Sequence, residues 1–300
     1  MRVLVTGATG HIGSALVPEL VAAGHEVLAL VRSDRSAASA RRLGAEVVRG
    51  DLTDLEGLQA AAEAVDGVVH LAFQSDVMRS GDLGAAAAAD LAAVDAISRA
   101  LESSGKVFVG AAVMLPYAHD GHVIEEHDTL PGGPRVDSEN AEVAMADHGI
   151  RSSIVRLSPI THSAELDLHG FATVLISTAR RTGVSGYIGD GAARWPATHT
   201  RDTARLFRLA LEHAPAGSRL HAAAQEAVTT KAIATRIGEQ LDLPVISISS
   251  EDAADHFGFL AGPLQMDAPA SSTVTRQVVA WQPTEPDLLD DLSDGRYYTR

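Results

Sequence analysis

Three glycines near the start of the chain constrain the fold more than any other feature. Gly7, Gly10 and Gly13 lie in the segment VLVTGATGHIG, between a short aliphatic run and a helical pattern of apolar residues. Glycine permits a sharp turn and lets the backbone approach a phosphate with no Cβ in the way. The unpaired N–H groups at the start of the following helix attract an anion. The segment therefore predicts a strand–turn–helix unit that can bind the pyrophosphate of a dinucleotide.

Short aliphatic runs alternate with helical patterns through the first half of the chain. This rhythm, with short loops, predicts parallel strands joined by helices that cover both faces of the sheet. The predicted strands span residues 2–6, 26–31, 46–49, 67–71, 106–110 and 152–157. The predicted helices span residues 12–23, 35–43, 55–63, 84–103 and 137–148.

The alternation weakens after about residue 158, and no Gly/Ser/Pro linker marks the change. In this half we predict a solvated segment or short helix at 285–295. We also predict strands at 218–223 and 244–248, and helices at 168–182, 202–213, 229–241 and 250–259. The predicted fold class is α/β, a doubly wound parallel Rossmann sheet over residues 1–160. A smaller C-terminal α/β substrate lobe would follow over residues 161–300, with some segments returning to the sheet.

The composition narrows the class of partner. The formal net charge is −15, so no basic field would offset the repulsion of a nucleic acid or an anionic membrane. The chain has no cysteine, which excludes disulfides, thiol catalysis and cysteine-ligated metals. No apolar stretch reaches the roughly 20 residues that span a bilayer, and the first apolar run lacks the flanks of a signal peptide. We expect a cytoplasmic protein with a small-molecule substrate.

Several segments carry a family resemblance. They are TGATGHIG (6–13), RGDLTD (49–54), VVHLAF (68–73), VRLSPI (155–160) and WPATHTRDTARLFRLALE (195–212). Together they resemble the extended or atypical, epimerase-like branch of the short-chain dehydrogenase/reductase superfamily. The resemblance implies a nicotinamide dinucleotide cofactor. Relatives often dimerise through the helices that match 84–103 and 137–148, so a homodimer is expected.

The resemblance also implies which residues contact the cofactor. The pyrophosphate would be surrounded by Gly7, Gly10, His11, Ile12 and Gly13, and the adenine would contact Asp51 and Leu52. Ala72 and Phe73 would lie along the ribose and nicotinamide side, and Pro159 and Ile160 would border the nicotinamide carboxamide. In this arrangement the carboxylate of Asp51 accepts a hydrogen bond from the exocyclic amine of the adenine.

The end of the second strand indicates which dinucleotide to expect. In NAD sites of this fold, an Asp or Glu at that point accepts a hydrogen bond from the ribose hydroxyl. Here the strand runs into Arg32, Ser33, Asp34 and Arg35. Because a guanidinium forms charge-assisted bonds with a 2′-phosphate, we expect NADP, with Arg32 as the main contact and Ser33 and Arg35 as helpers. Asp34 leaves NAD as the alternative.

The usual catalytic groups of this superfamily are replaced. Its dehydrogenases carry Tyr-x-x-x-Lys on a helix, where the Lys charge lowers the Tyr pKa for proton transfer. They also carry a Ser at the end of the fifth strand. This chain has no Tyr-x-x-x-Lys, and Ala112 stands near the expected Ser. The alignment puts Arg135 at the Tyr position and Glu139 at the Lys position, at helical i, i+4 spacing.

Three functions are compatible with this replacement. In the first, the protein is an NADP(H)-dependent oxidoreductase acting on a carbonyl or alcohol of a small organic molecule. Arg135, held by Glu139, would then stabilise an oxyanion, and Tyr117, His119 and His122 are spare acid–base groups. In the second, it is an NADP(H)-binding sensor or regulator without catalysis. In the third, the nucleotide assists an epimerase or isomerase. A plain surface ion pair between Arg135 and Glu139 is the alternative to any catalytic role.

Candidate substrate contacts lie near the expected nicotinamide side or in the similar substrate-lobe segment. They are Met114, His162, His169, Trp195 and His199, with core packing as the alternative for Trp195. His119, His122 and His127 also lie close together along the chain. They lack further ligands at the spacing of a zinc site, so a surface loop is predicted rather than a metal site.

Overall fold

The computed structural model describes residues 1–119, 121–167 and 170–299. Within these residues the strands are β1 (Arg2–Thr6), β2 (Glu26–Val31), β3 (Glu46–Arg49), β4 (Gly67–His70), β5 (Val107–Val113), β6 (Arg151–Leu157), β7 (Ile160–His162), β8 (Ser185–Ile188), β9 (Arg194–His199), β10 (Ser218–Ala222), β11 (Gln225–Thr229) and β12 (Val245–Ile248). The helices are α1 (Gly13–Ala22), α2 (Asp34–Arg42), α3 (Leu55–Glu63), α4 (Ser75–Arg79), α5 (Leu83–Leu101), α6 (Val136–Ala144), α7 (Phe171–Thr182), α8 (Thr200–His213), α9 (Thr230–Leu241), α10 (Ala253–Phe257), α11 (Thr273–Val278) and α12 (Leu288–Asp291).

A seven-stranded parallel sheet has the order β10-β6-β5-β4-β1-β2-β3. The chain builds outward from β1 to β3 on one side and from β4 to β6 on the other. The strand order therefore reverses between β1 and β4. In open α/β sheets, ligands bind beyond the carboxyl ends of the strands at such a point. The prediction of a doubly wound parallel Rossmann sheet is confirmed.

Helices cover both faces of this sheet because its strands direct apolar side chains to each face in turn. Val3 and Val5 of β1 belong to the core that contains α1 and α8, whereas Leu4 belongs to the core that contains α3 and α5. All three side chains are fully buried. Both α8 and β10 come from the second half of the chain, so that half completes the main layers. The division into lobes at residue 160 stays a prediction.

The remaining strands form two small sheets. β9 pairs with β7 in parallel and with β11 in antiparallel orientation, and β12 pairs with β8 in parallel. Of these five strands, sequence analysis predicts only β12. The others are short, and their hydrogen-bond partners lie far away in the sequence.

Several predicted helices have different limits in the structure. The predicted helix 137–148 ends as α6 at Ala144 and continues as a 3-10 turn, Met145–His148. The first two residues of the predicted helix 168–182 lie outside the described residues. The acidic segment 285–295 contains the short helix α12, but Asp291 is buried rather than solvated. Among the helices in the described ranges, none is long and apolar enough to cross a membrane.

Candidate functional site

A cleft of about 740 Å³ lies at the point where the strand order reverses. This volume falls within the range of about 300–1,000 Å³ typical of small-molecule sites. The predicted cofactor residues that line the cleft are Gly7, Gly10, His11, Ile12, Gly13, Arg32, Ser33, Asp51, Leu52, Ala72 and Phe73. The structure thus brings residues from four separate loops together, and their roles toward a cofactor stay predictions.

Three predicted cofactor residues lie away from this lining. Arg35 is exposed on the first turn of α2. Pro159 is half-buried, and Ile160 is fully buried, because the chain turns directly after β6 into β7 and pairs there with β9. The contacts of these three residues with a cofactor stay predictions.

The glycine turn is shaped by close backbone packing. Gly7 has a φ of +70°, and a Cβ there would lie 2.9 Å from the backbone nitrogen of Ala72. A Cβ on Gly13 would overlap the carbonyl oxygen of Gly7. Ile12, which precedes α1, makes no side-chain capping bond. The N–H groups of Ser14, Ala15 and Leu16 already donate to the carbonyls of Gly10 and Ile12, so an anion in the cleft would be attracted here by the positive end of the α1 dipole.

His11 connects this turn to the second half of the chain. Its Nε2 lies 3.1 Å from the hydroxyl of Thr200, the first residue of α8. The Thr200 hydroxyl donates to the carbonyl of His162, so it accepts from His11. His11 Nδ1 lies 3.5 Å from the carboxylate of Asp167. The wall of the cleft beside the glycine turn is thus held by residues distant in sequence.

Polar groups cluster where β2 meets α2. Ser33 caps α2 by accepting from the backbone N–H of Ser36, and Ser36 also lines the cleft. Asp34 is fully exposed and forms an ion pair with Arg49 instead of lining the cleft. Sequence analysis missed Ser36, although Ser33 and Ser36 have the spacing of a capping box. This end of the cleft presents two hydroxyls and the guanidinium of Arg32.

Asp51 is fixed beside this cluster. One of its carboxylate oxygens accepts hydrogen bonds from the backbone N–H and the hydroxyl of Thr53, both at 2.9 Å. These bonds lower the pKa of Asp51 below its ordinary value. Arg32, whose side chain is 73% exposed, lies 4.0 Å from the other oxygen. Asp51 is therefore a well-positioned acceptor at the end of β3.

Arg135 lies at the opposite, inner end of the cleft. Its guanidinium donates at 2.7 Å to the carboxylate of Asp90 and at 2.7 Å to the carbonyl of Ala111. It also lies 4.2 Å above the ring of Phe73. Ala111 and Phe73 both line the cleft, so this guanidinium lies directly behind the cleft wall.

The prediction that Glu139 holds Arg135 is wrong, because each of the two residues bonds to a different partner. Arg135 precedes α6 with a left-handed backbone, φ 70° and ψ −28°, so the two residues do not follow one helical repeat. Glu139 is buried and accepts from Arg156 at 2.7 Å and from Arg219 at 3.3 Å. Because Glu139 is buried, a surface ion pair is also excluded.

Tyr117 is poorly suited to donate a proton. Its hydroxyl donates to Glu139 at 2.9 Å, and its ring lies 3.9 Å from the guanidinium of Arg156. Burial, followed by the charge of Glu139, raises the pKa of Tyr117 to about 12. The side chain is 3% exposed. Tyr117 belongs to the buried network of Glu139 and lies outside the cleft lining.

Sequence analysis missed two residues behind the inner end, His70 and Asp90. His70 Nδ1 lies 2.9 Å from the hydroxyl of Thr6, and His70 Nε2 lies 3.4 Å from Asp90. Burial raises the pKa of Asp90, but His70 and Arg135 outweigh it, so the pKa stays below its ordinary value. The available signal was one polar residue in each of two otherwise apolar stretches, GVVH (67–70) and AAAAADLAAV (85–94).

Comparison with known proteins places the chain in a family. Residues 3–223 match the model of the NAD dependent epimerase/dehydratase family. The chain belongs to this family. The resemblance to the extended or atypical branch of the short-chain dehydrogenase/reductase superfamily is thereby confirmed.

Relatives of this epimerase/dehydratase-family protein match along its whole length. It is 41% identical to an uncharacterised protein of Schizosaccharomyces pombe over 99% of this chain and 100% of the relative. It is 38% identical to an uncharacterised protein of Saccharomyces cerevisiae over 97% and 98% of the two chains. The fold is similar to that of DesIV, a dTDP-glucose 4,6-dehydratase from Streptomyces venezuelae solved with NAD and TYD. The TM-score is 0.80, with 20% identity and coverage of 99% and 97%.

The substrate candidates of this family member lie in its interior. Met114 and Trp195 are fully buried in the second-half core, and the indole N–H of Trp195 donates to the carbonyl of Met266 at 3.1 Å. His162 is 1% exposed and bonded to Asp291, and His199 is 5% exposed. Burial, then the neighbouring His162, lowers the pKa of His199 to about 4. None of these four lines the cleft. His162 on β7 and Trp195 and His199 on β9 are turned into the core, and Met114 is buried directly after β5. His169 lies outside the described residues.

The histidine-rich loop of this protein is held by local contacts between histidine rings and carboxylates. His119 stacks on His122 at 4.5 Å between ring centroids, and His122 lies 2.7 Å from Asp128. His127 lies 3.1 Å from Glu125. Over the described ranges, no group of three or more His, Asp or Glu side chains is arranged to hold a metal ion.

Proposed function

We propose that this protein is an NADP(H)-dependent oxidoreductase that acts on a carbonyl or alcohol group of a small organic molecule, without a Tyr–Lys pair. One observation carries the proposal. A single cleft has a glycine turn at its centre, Arg32 with two hydroxyls at one end, and the guanidinium of Arg135 behind its other end. The family and the NAD bound to DesIV support a nicotinamide dinucleotide.

The residues present fit such a cofactor. At Gly7 and Gly13 the turn has no space for a Cβ, and the positive end of the α1 dipole would face a pyrophosphate bound there. Asp51 can accept from an adenine amine. The side chains of Arg32, Ser33 and Ser36 would bind a 2′-phosphate, whereas a ribose hydroxyl needs a carboxylate at this position. Asp34, the residue that could serve NAD, is directed to Arg49.

The inner end of the cleft would hold the reacting group. When bound, the nicotinamide supplies a hydride to a carbonyl carbon or accepts one from an alcohol. In the reductive direction, Arg135 would stabilise the negative charge that develops on the carbonyl oxygen. Arginine does not deprotonate in proteins, so the oxygen would take its proton from water. The products are then an alcohol and the oxidised cofactor.

Cofactor preference tests one half of the proposal. Wild-type protein is expected to bind NADPH more tightly than NADH in calorimetry. Arg32→Ala should weaken NADPH binding about tenfold, since it removes charge-assisted bonds from an exposed position. NADH binding should not change. Arg41→Ala is the matched control, because Arg41 is exposed on the last turn of α2 and lies outside the cleft lining. Equal losses for both nucleotides in Arg32→Ala, or a preference for NADH, would contradict the NADP assignment.

Turnover tests the other half. Protein, NADPH and a panel of aldehydes and ketones are mixed, and the absorbance of the reduced nicotinamide is followed. Oxidation above the rate without protein supports the oxidoreductase.

A sensor or regulator is the second candidate function. This function is favoured because Tyr117 and Glu139, which the sequence predicted as catalytic residues, are both buried and do not line the cleft. Tight NADPH binding without turnover of any substrate would support it. An isomerase or epimerase, in which the nucleotide returns to its starting state, would convert a substrate without net NADPH consumption.

A further inference from the structure

We infer that Asp90, backed by His70 and Thr6, is a positioning residue that fixes Arg135 relative to the cofactor cleft. This inference rests on the proposed oxidoreductase function, because it concerns how the reacting oxygen is held. Thr6 and His70 lie in segments that carry the family resemblance. The resemblance does not point to Asp90, and it implies a tyrosine at the position of Arg135, so it does not supply the contact between these two residues.

The hydrogen bonds around Thr6 fix the direction of the chain of donors. The Thr6 hydroxyl oxygen accepts from the backbone N–H of Leu71 at 3.1 Å and of Ala72 at 3.2 Å. With both lone pairs engaged, its own hydrogen is directed to Nδ1 of His70 at 2.9 Å. His70 therefore carries its proton on Nε2 and donates it to Asp90. Asp90 receives a proton donor on one oxygen and Arg135 on the other.

The series of hydrogen bonds from Thr6 through His70 and Asp90 to Arg135 connects two parts of the cleft wall. At one end, Thr6 holds the backbone of Leu71 and Ala72, and the nitrogen of Ala72 packs directly against Gly7 of the glycine turn. At the other end, Asp90 holds the guanidinium of Arg135. The position of that guanidinium is thus set against the same backbone that would carry the pyrophosphate.

The contacts of Arg135 leave it able to act on a ligand. Contacts from described residues take two of its five N–H groups, and its side chain is 14% exposed. The carbonyl of Ala111 and the ring of Phe73 fix the guanidinium plane from two further elements. Arg135 does not itself line the cleft, so its remaining N–H groups would have to reach a ligand oxygen past Phe73 and Ala111, which do.

Charge balance around Asp90 supports the same role. Asp90 is 3% exposed, and its carboxylate is stabilised first by the hydrogen bond from His70 and then by the charge of Arg135. A second carboxyl, Glu142, packs against Gly110 close to this pair. Burial, and then the charge of Asp90, raises the pKa of Glu142 well above its ordinary value. Glu142 is therefore protonated more easily than an exposed carboxyl, which reduces its competition with Asp90 for Arg135.

The test compares steady-state kinetics and NADPH binding in wild type, Asp90→Asn and Asp95→Asn. Asp95 lies exposed on the same helix and serves as the matched control. Asp90→Asn keeps the shape but removes the charge that holds Arg135. We expect its kcat to fall roughly tenfold to a hundredfold, the range for a misplaced catalytic group. Its affinity for NADPH should stay within about threefold, because the glycine turn is untouched.

Chemical rescue separates positioning from a merely structural role. Arg135→Ala should lose roughly 10²–10³-fold in kcat, and added methylguanidinium should restore part of it. The double variant Arg135→Ala/Asp90→Asn should show no rescue, because the anchor is gone. If Arg135→Ala does not fold, Arg135→Lys replaces it. The lysine variant keeps the charge, so a preserved kcat would overturn the inference.

The outcomes distinguish the inference from the function on which it rests. Turnover by wild type with an unchanged kcat in Asp90→Asn overturns the inference and leaves the oxidoreductase standing. Equal losses in kcat and NADPH affinity also overturn it, since Asp90 would then serve the cofactor site. No turnover by wild type on the panel overturns the proposed function and the inference with it.

Discussion

Helix α6 and the residue before it contribute to two arginine–carboxylate networks. In one, Arg135 binds Asp90 and the carbonyl of Ala111 behind the cleft wall, with a side chain that is 14% exposed. In the other, Arg156 is fully buried against Glu139. All five N–H groups of Arg156 are engaged, by Glu139, His221 and the carbonyls of Glu125 and Asp128.

The two networks contain the same pair of charged groups but differ in how many N–H groups of the arginine are engaged. An arginine whose donors are all engaged inside the core can only hold the fold together. An arginine at the edge of a cleft with donors left over can bind a ligand. Arg135 and Glu139 lie four residues apart in sequence, but they belong to different networks. The four predictions that follow separate the networks by experiment.

The largest effect is expected from breaking the buried network. Arg156→Ala leaves the carboxylate of Glu139 with weaker partners in the core, so the free energy of unfolding should fall by about 3–5 kcal/mol. Denaturant unfolding measures it. Arg99→Ala, an exposed position on α5, is the control and should change little. A loss below about 1 kcal/mol for Arg156→Ala would show that the network contributes little to stability.

A substitution in the network of Arg135 and Asp90 should lower kcat rather than the free energy of unfolding. Arg135→Lys keeps the positive charge but loses the planar fork that contacts Asp90 and Ala111 together. We expect kcat to fall roughly a hundredfold, while the free energy of unfolding changes by about 1 kcal/mol. Kinetics and denaturant unfolding of the same preparations check both. A large loss of stability with a normal kcat would instead mean that Arg135 stabilises the fold and does not contribute to the reaction.

The pH dependence of stability should distinguish the networks next. Burial, and then the charge of Arg156, lowers the pKa of His221 to about 3 from its ordinary 6.5. Below about pH 6.5 the unfolded chain binds a proton that the folded chain rejects, so stability falls as the pH drops toward the folded pKa. From pH 6.5 to 4.5 the loss from this residue should be roughly 2–3 kcal/mol.

Unfolding titrations of wild type and His221→Gln over this range measure that loss. The variant should have a shallower slope, and His199, whose pKa is also lowered, accounts for part of what remains. Asp90 has a pKa below its ordinary 3.8, so its contribution is present above that value and is lost only in stronger acid. Identical slopes in the two proteins would mean that His221 is protonated in the folded state.

The smallest effect is expected at Tyr117. Tyr117→Phe removes one hydroxyl that donates to Glu139, a bond worth about 1 kcal/mol or slightly more because its acceptor is charged. Because Tyr117 lies outside the cleft lining, kcat and its pH profile should match those of wild type. A lower kcat together with a shifted pH profile would indicate that Tyr117 donates a proton in the reaction.

Local chemistry was enough to predict the dinucleotide half of the site. β1, β2, β3 and α3 have the limits that the residue pattern predicts, because apolar alternation and helix signals act over a few residues. The glycine turn also depends on neighbours within a few positions of one another. Since parallel strands bring their carboxyl ends to one edge, the placement of Asp51 and Phe73 beside that turn followed from the fold class.

The inner half of the site was decided by tertiary structure. Asp90 and Arg135 are 45 positions apart, and neither residue type signals the other. The left-handed backbone at Arg135 turned its side chain toward α5, which helical spacing alone could not reveal. Burial of His162 and Trp195 likewise depends on the pairing of β7 with β9. Sequence by itself determined the sheet and the shape of the glycine turn, because these rest on short-range backbone preferences. Which charges meet depended on how distant segments pack.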